Sequence, residues 1–192
     1  MILYDYVLSP DCYKVRLLAS LVGARLDLRA VDFHPGGEHR TAPFLRINPA
    51  GTIPVLQDGD LILTESAAIL TYVAASHGPD WLGDDTPTMR GRVAQWLAFG
   101  HRLSASIGKA RTHDMLQKPA DIDACRTAGV AALRELEAAL IEARLRGDAF
   151  LAGARPTLAD IACFPHAMLA PDGGISTDPY PTIRLWTRSL RA

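Results

Sequence analysis

The segment Ser9-Pro10-Asp11-Cys12 places a hydroxyl and a thiol three residues apart, between a strand-length apolar run and a helical pattern. The spacing is that of the C-x-x-C redox motif, but serine in the first position excludes a dithiol within the motif. A hydroxyl at a helix N-terminus lies beside unpaired backbone N–H groups and the positive end of the helix dipole. These groups favour a bound thiolate and together could lower a thiol pKa by roughly two units.

Both side chains also have structural interpretations. Serine is a preferred N-cap residue, so Ser9 could serve only to begin the helix. Cys12 lies one turn into the helix, where we expect a small packing residue rather than a nucleophile.

Two backbone signals follow in the same half of the chain. Ile53-Pro54 precedes a strand; a cis bond there would leave the Ile53 N–H and C=O open to an extended peptide, and a trans proline at a strand start is the alternative. Asp58-Gly59 separates two short apolar runs and predicts a type I′ hairpin with these two residues at its centre.

Three further polar residues could hold the ends of a charged peptide. Ser66 and the N–H groups after it would receive a carboxylate, and Glu65 could hold an ammonium group; a plain capped helix start is the alternative. His39, expected at the surface before the second helix, could pair with another carboxylate or have no function.

Composition excludes several classes of protein. The net charge is −1 among 192 residues, so no basic field would attract nucleic acid or an anionic membrane. Three scattered cysteines form neither a disulfide framework nor a zinc spacing. The opening MILYDYVLSPDC lacks the pattern of a secretion signal, and no apolar run is long enough to span a membrane. We therefore expect a cytoplasmic protein without a metal.

The periodicity divides the chain into two parts. Residues 1–78 show the order strand–helix–strand–helix–hairpin–helix, which predicts a thioredoxin-like α/β domain with a mixed four-stranded sheet. Residues 79–86 are rich in Gly, Pro and Asp and predict a linker. Residues 87–192 show only helical periodicity, with long helices predicted over 87–111 and 121–146, and predict an all-helical bundle.

The helical part offers weaker functional signals. Phe99, Arg102 and His113 are candidates for an apolar pocket that holds a second substrate, although an aromatic residue at helical spacing is commonly a core residue. Thr157 and Asp160, in TLAD before an apolar run, predict a capping box, with Asp in place of the commoner Glu or Gln.

Together and in this order, the motifs resemble those of the glutathione transferase family, over nearly the whole chain. The resemblance is carried by SPDCYKVRLL, NPAGTIPVL, TESAAIL and FLAGARPTLADIACFP. The serine-type members (theta, delta, zeta and many bacterial enzymes) are the most similar. A tyrosine-type assignment, with Tyr4 or Tyr6 in place of Ser9, fits less well.

The resemblance implies roles for individual residues. Ser9 would activate the thiol of glutathione, which is a co-substrate, and the neighbouring Pro10 would lie beside it. The cis-proline of the family falls on Pro54, its backbone contact to the peptide on Ile53, its γ-glutamyl site on Glu65 and Ser66, and a contact to the glycine carboxylate on His39. The family also implies a homodimer, a hydrophobic electrophile as second substrate and a role in detoxification.

Two positions depart from the family pattern. Gly51 stands where delta-type members carry a second histidine, and Ala67 stands where many members carry an arginine. Two other functions remain open on the same scaffold: a glutathione-dependent isomerase or dehalogenase, and a non-catalytic glutathione-binding scaffold protein.

Overall fold

Four short strands form one mixed sheet in the N-terminal part of the computed structural model, which describes residues 1–191. The strands, in the spatial order β2-β1-β3-β4, are β1 (Ile2–Asp5), β2 (Asp27–Ala30), β3 (Val55–Asp58) and β4 (Leu61–Leu63). β1 pairs with β2 in parallel, and the other two pairs are antiparallel. The predicted mixed four-stranded sheet is confirmed.

Side chains of the sheet alternate between its two faces, and three helices accompany it in this part of the chain. They are α1 (Pro10–Leu21), α2 (Ala42–Ile47) and α3 (Ser66–His77). Tyr4 and Val55 pack with Phe44 of α2 in one cluster. The neighbouring Leu3 and Leu56, also buried, point to the opposite face. The sheet is therefore apolar on both faces, and α1 begins soon after β1 ends, at Pro10.

The hairpin turn differs from the one predicted. Asp58 pairs with Leu61, so the two loop residues are Gly59 and Asp60, one position later than expected. Gly59 has φ 57°, whereas Asp60 does not have a positive φ. Type I′ needs positive φ at both central residues, so that prediction was wrong; glycine at the first central position is the pattern of type II′.

The chain divides into two units, the first Met1–Pro79 and the second beginning at Asp80. The predicted linker contains a short 3-10 helix, Pro79–Leu82. No strand occurs among the described residues of the second unit, whose all-helical class was predicted; residue 192 lies outside them. Its helices are α4 (Pro87–Leu103), α5 (Lys109–Leu116), α6 (Ile122–Leu145), α7 (Leu158–Met168) and α8 (Pro181–Ser189).

The long helix predicted over 87–111 continues further than expected. A π-helical segment, Ser104–Gly108, joins α4 to α5, and the helix ends where Gln117 adopts φ 56°. α4 packs closely on α7 because Gly100 has no side chain: a Cβ there would lie 2.8 Å from the carbonyl oxygen of Ala162.

The predicted capping box is present at the start of α7. The side chain of Thr157 caps the helix, and the Thr157 N–H donates to Asp160 Oδ2 at 2.9 Å. Asp160 is fully buried and also accepts from the Leu151 N–H (3.1 Å) and from Trp186 Nε1 (2.8 Å). Burial raises the pKa of the Asp160 carboxyl, an effect that these donors oppose.

A second carboxylate has a similar role at α8. Glu137, on α6, is buried and accepts from the backbone N–H groups of Thr182 (2.9 Å) and Ile183 (2.8 Å). It thereby satisfies two donors at the first turn of α8, which has no cap of its own.

None of the helices within residues 1–191 has the length and apolar character needed to cross a bilayer. In the same range, no group of three or more His, Cys, Asp or Glu side chains is arranged to hold a metal ion.

Candidate functional site

Ser9 is the N-cap residue of α1. Its backbone is extended (φ −79°, ψ 120°), and the Cys12 N–H donates to its Oγ at 3.2 Å. Pro10, which has no N–H to satisfy, occupies the first helical turn, as is common for proline. The capping bond uses a lone pair of the hydroxyl, so the hydroxyl proton can still donate to an anion at the helix start. The side chain is half-buried.

Cys12 has the features of a packing residue. Its side chain is fully buried, and burial is the main cause that raises its pKa from 9.0 to about 12. A thiol with such a raised pKa stays protonated at pH 8. Because the thiolate is the nucleophilic form, Cys12 is not available as one in the native state.

We therefore expect a thiol reagent to modify one cysteine quickly in the native protein at pH 8. Cys125 is half-buried, whereas Cys12 and Cys163 are buried. Counting the thiols modified by Ellman's reagent before and after denaturation should give one and then three. The Cys125→Ser variant should show no rapid phase; a rapid phase that persists in it would contradict the burial of Cys12 or of Cys163.

The Ile53-Pro54 peptide bond is cis, the first of the two alternatives considered. The loop before it is held by Asn48, which is buried and whose Nδ2 donates to the Thr52 carbonyl at 2.8 Å. Within this loop Gly51 has φ 60°, and a Cβ at this position would lie 3.0 Å from the carbonyl oxygen of His39. A side chain at residue 51 would therefore meet both an unfavourable φ and a close backbone contact.

The start of α3 carries the predicted acid–serine pair. Ser66 is the first residue of the helix, and Glu65 before it is exposed and makes no side-chain capping bond. The Ser66 hydroxyl donates to Asp11 Oδ1 at 3.3 Å, which connects the start of α3 to the start of α1. Glu65 and the first residues of α3 are adjacent in the sequence, which is the arrangement that the proposed zwitterion site requires.

His39 is not the surface residue that we expected. It lies in a short 3-10 helix, Glu38–Arg40, with only 4% of its surface exposed. Its ring stacks on Phe33, with 4.1 Å between the ring centroids. An aromatic neighbour that a sequence pattern does not reveal thus accounts for its burial.

The second-substrate candidates have other contacts in the second unit. Phe99 is buried in its core, where the ring contributes to packing. The exposed Arg102 lies over that ring, 4.8 Å from its centroid, and binds both carboxylate oxygens of Glu135. His113 Nδ1 lies 2.9 Å from the carbonyl oxygen of Lys118.

A cavity of about 500 Å³ occupies another part of the second unit, and none of these three candidates lines it. It lies between the π-helical segment, α5 and the start of α6. Its lining combines small apolar residues with two lysines: Ala105, Lys109, Thr112, Lys118, Pro119, Ala120, Asp121, Ala124, Cys125 and Ala128.

The two tyrosines considered as substitutes for Ser9 have packing roles. Tyr4 is buried, and its hydroxyl donates to Gln57 Oε1 at 3.2 Å. The ring of Tyr6 packs on Phe33, with 5.4 Å between centroids.

Lys14 had no predicted role. It is buried on α1 and pairs with Asp11.

Comparisons with known proteins agree with this architecture. Residues 1–75 match the family described as "Glutathione S-transferase, N-terminal domain", and residues 119–188 match "Glutathione S-transferase, C-terminal domain". Glutathione S-transferase theta-1 of Bos taurus is 32% identical over 99% of this chain and 82% of its own length.

Two solved structures are similar over nearly the whole chain. A glutathione S-transferase from Pseudomonas fluorescens Pf-5 has a TM-score of 0.88 and 29% identity, covering 100% of this chain and 94% of that one. A delta-class glutathione transferase from Nilaparvata lugens has a TM-score of 0.84 and 32% identity, covering 99% and 87%. With both family models and a relative of this identity matched, this chain belongs to the glutathione transferase family.

Proposed function

We propose that this protein conjugates glutathione to a hydrophobic electrophile and that Ser9 activates the glutathione thiol. The observation that carries the proposal is the position of the Ser9 hydroxyl at the N-terminus of α1. Its lone pair is used by the Cys12 N–H, and its proton is directed to the thiolate sulfur. The sulfur forms a C–S bond to the electrophilic carbon, and the leaving group departs with its bonding electrons.

The size of this activation is adequate for reaction at neutral pH. A hydrogen bond to a charged group contributes about 1.5–3 kcal/mol, and the helix dipole adds about 0.3–1 kcal/mol. Because one pKa unit corresponds to about 1.4 kcal/mol, the two effects lower the thiol pKa by roughly two units. The remaining catalysis is proximity, since both reactants are bound.

We assign the other contacts to the tripeptide to residues of the same unit of the chain. We assign its backbone contact to Ile53 beside the cis Pro54, its ammonium group to Glu65 and its γ-glutamyl carboxylate to the N-terminus of α3 at Ser66. The resemblance assigns His39 to the glycine carboxylate, although only 4% of its surface is exposed. The second-substrate pocket stays a prediction at Phe99, Arg102 and His113.

The proposal includes a cytoplasmic homodimer with a role in detoxification. Cys12 and Cys125 carry free thiols, which fits a reducing compartment. The edge strand β4 exposes Leu61 (39%) and Ile62 (41%), apolar side chains that a second copy would cover. Sedimentation at several protein concentrations tests the dimer.

A thermal-shift titration tests glutathione binding. A ligand that binds only the folded state stabilises it by about 2.7 kcal/mol at 100 times its Kd. For a chain of this length we expect the Tm to rise by roughly 5–10 °C. The dipeptide Cys-Gly, which lacks the γ-glutamyl group, serves as the control and should have little effect. No shift with glutathione would contradict the proposed binding; a shift without conjugation of chlorodinitrobenzene would favour the scaffold function.

A further inference from the structure

Lys14 is a buried cation close to the proposed glutathione site. Only 2% of its side chain is exposed, and its Nζ lies 2.6 Å from Asp11 Oδ1. A buried ammonium group needs a counter-charge because burial removes its hydration. Asp11 supplies that charge from the first turn of α1, two residues after Ser9.

The same carboxylate oxygen of Asp11 has a second partner. Ser66 Oγ donates to Asp11 Oδ1 at 3.3 Å. Lys14, Asp11 and Ser66 therefore form one connected group, which we call the Lys14–Asp11–Ser66 network. It joins the helix start that carries the activating hydroxyl to the helix start assigned to the γ-glutamyl carboxylate.

The charges in the Lys14–Asp11–Ser66 network affect whether an anion can bind beside Ser66. Asp11 lies one hydrogen bond from Ser66, so its negative charge would repel a ligand carboxylate at the N-terminus of α3. The ammonium group of Lys14 opposes that repulsion because it contacts the same carboxylate. Lys14 is buried and only 21% of the Asp11 side chain is exposed, so solvent screens their attraction less than it would at the surface.

We propose that Lys14 is a positioning residue for glutathione: it neutralises Asp11, and so permits the γ-glutamyl carboxylate to bind beside Ser66, while Asp11 orients the Ser66 hydroxyl. This inference rests on the proposed function. Lys14 acts through Asp11 and does not touch the ligand. The result is an effect on glutathione affinity and not on the attack by the sulfur.

Charge-changing variants test the inference by calorimetric titration with glutathione and by steady-state kinetics. In Lys14→Met, Asp11 keeps its charge, and we expect the Kd and KM for glutathione to rise about tenfold, which corresponds to about 1.4 kcal/mol. We expect kcat to change less than about twofold, because this interaction is made equally in the ground and transition states. Asp11→Asn keeps an acceptor for Ser66 but leaves the buried Lys14 without its counter-charge, so it should lose stability while the folded fraction binds glutathione at least as tightly as the wild type.

The double variant Lys14→Met/Asp11→Asn separates charge from packing. Since it contains neither charge, its Kd should return to within about threefold of the wild-type value, whereas a merely structural role would leave it at least as weak as Lys14→Met. Arg25→Met, an exposed position in the same unit, is the matched control and should change neither Kd nor Tm. If Lys14→Met fails to fold, Asp11→Asn and the double variant still decide the sign of the effect.

The outcomes also separate this inference from the proposed function. If wild-type protein does not bind glutathione, the proposed function fails. If it binds while folded Lys14→Met has the same Kd, or if Asp11→Asn binds about tenfold more weakly, only the role of Lys14 is overturned.

Discussion

Replacing Ser9 with alanine should lower kcat/KM for conjugation about 10- to 150-fold at pH 7. This range corresponds to the 1.5–3 kcal/mol of a hydrogen bond to a charged group, here the glutathione thiolate. Without the hydroxyl, the pKa of the bound thiol rises. The defect should therefore shrink as the pH increases towards 9, where the thiol ionises unaided. Initial rates with chlorodinitrobenzene between pH 6 and 9 measure both effects.

Ser9 also caps α1, so a loss of capping has to be separated from a loss of catalysis. Removing an N-cap side chain costs about 1 kcal/mol of stability. Thr86 is the matched control, because its side chain caps α4 through a bond of the same 3.2 Å length from the Met89 N–H. Thr86→Ala should lose similar stability and keep its activity, and Ser9→Thr should keep much of both. Equal activity losses in Ser9→Ala and Thr86→Ala would refute the catalytic role.

The Asp160→Ala substitution should produce a large loss of stability. It would leave three buried donors without their acceptor: the N–H groups of Thr157 and Leu151, and Nε1 of Trp186. Each unsatisfied buried donor costs about 1–3 kcal/mol, so we expect a loss of about 4 kcal/mol or more in the free energy of unfolding. Total stabilities are about 5–15 kcal/mol, so this loss is a large share.

Urea denaturation followed by circular dichroism measures this effect. Asp160→Asn keeps one acceptor oxygen, but its NH₂ group points at one of the three donors. Its loss in the free energy of unfolding should be roughly half that of Asp160→Ala. Asp178→Ala, which removes an exposed carboxylate, should change stability by less than about 0.5 kcal/mol. An Asp160→Ala variant within 1 kcal/mol of the wild type would show that these bonds contribute little.

The order of elements could be predicted from sequence because each has a clear local pattern. The apolar runs and the capping box are local signals, and the structure follows them. The hairpin turn could not be placed to the residue: Asp58-Gly59 and Gly59-Asp60 both fit a two-residue loop, and only the pairing of Asp58 with Leu61 distinguishes them. A register of this kind depends on which strand faces are buried.

Local patterns also indicated where the main predicted site residues lie in the fold, but not the groups that contact them. Ser9, Pro54 and Ser66 each adjoin the start of a helix or a strand, which a sequence reveals. Lys14 has the spacing of an ordinary helix-surface residue, and its burial follows from α3 packing on α1. Glu137 likewise caps a helix that begins 44 residues later, at Pro181. Such contacts are non-local, so the periodicity of the sequence does not indicate them.

The close approach of Gly51 to His39 couples two positions that are distant in the sequence. A side chain at residue 51 would meet both an unfavourable φ of 60° and the His39 carbonyl oxygen 3.0 Å from its Cβ. Grafting a histidine into this loop from a delta-type relative would therefore require the 3-10 helix around residue 39 to move as well. In this chain, a side chain added at residue 51 therefore has to be combined with a change around residue 39.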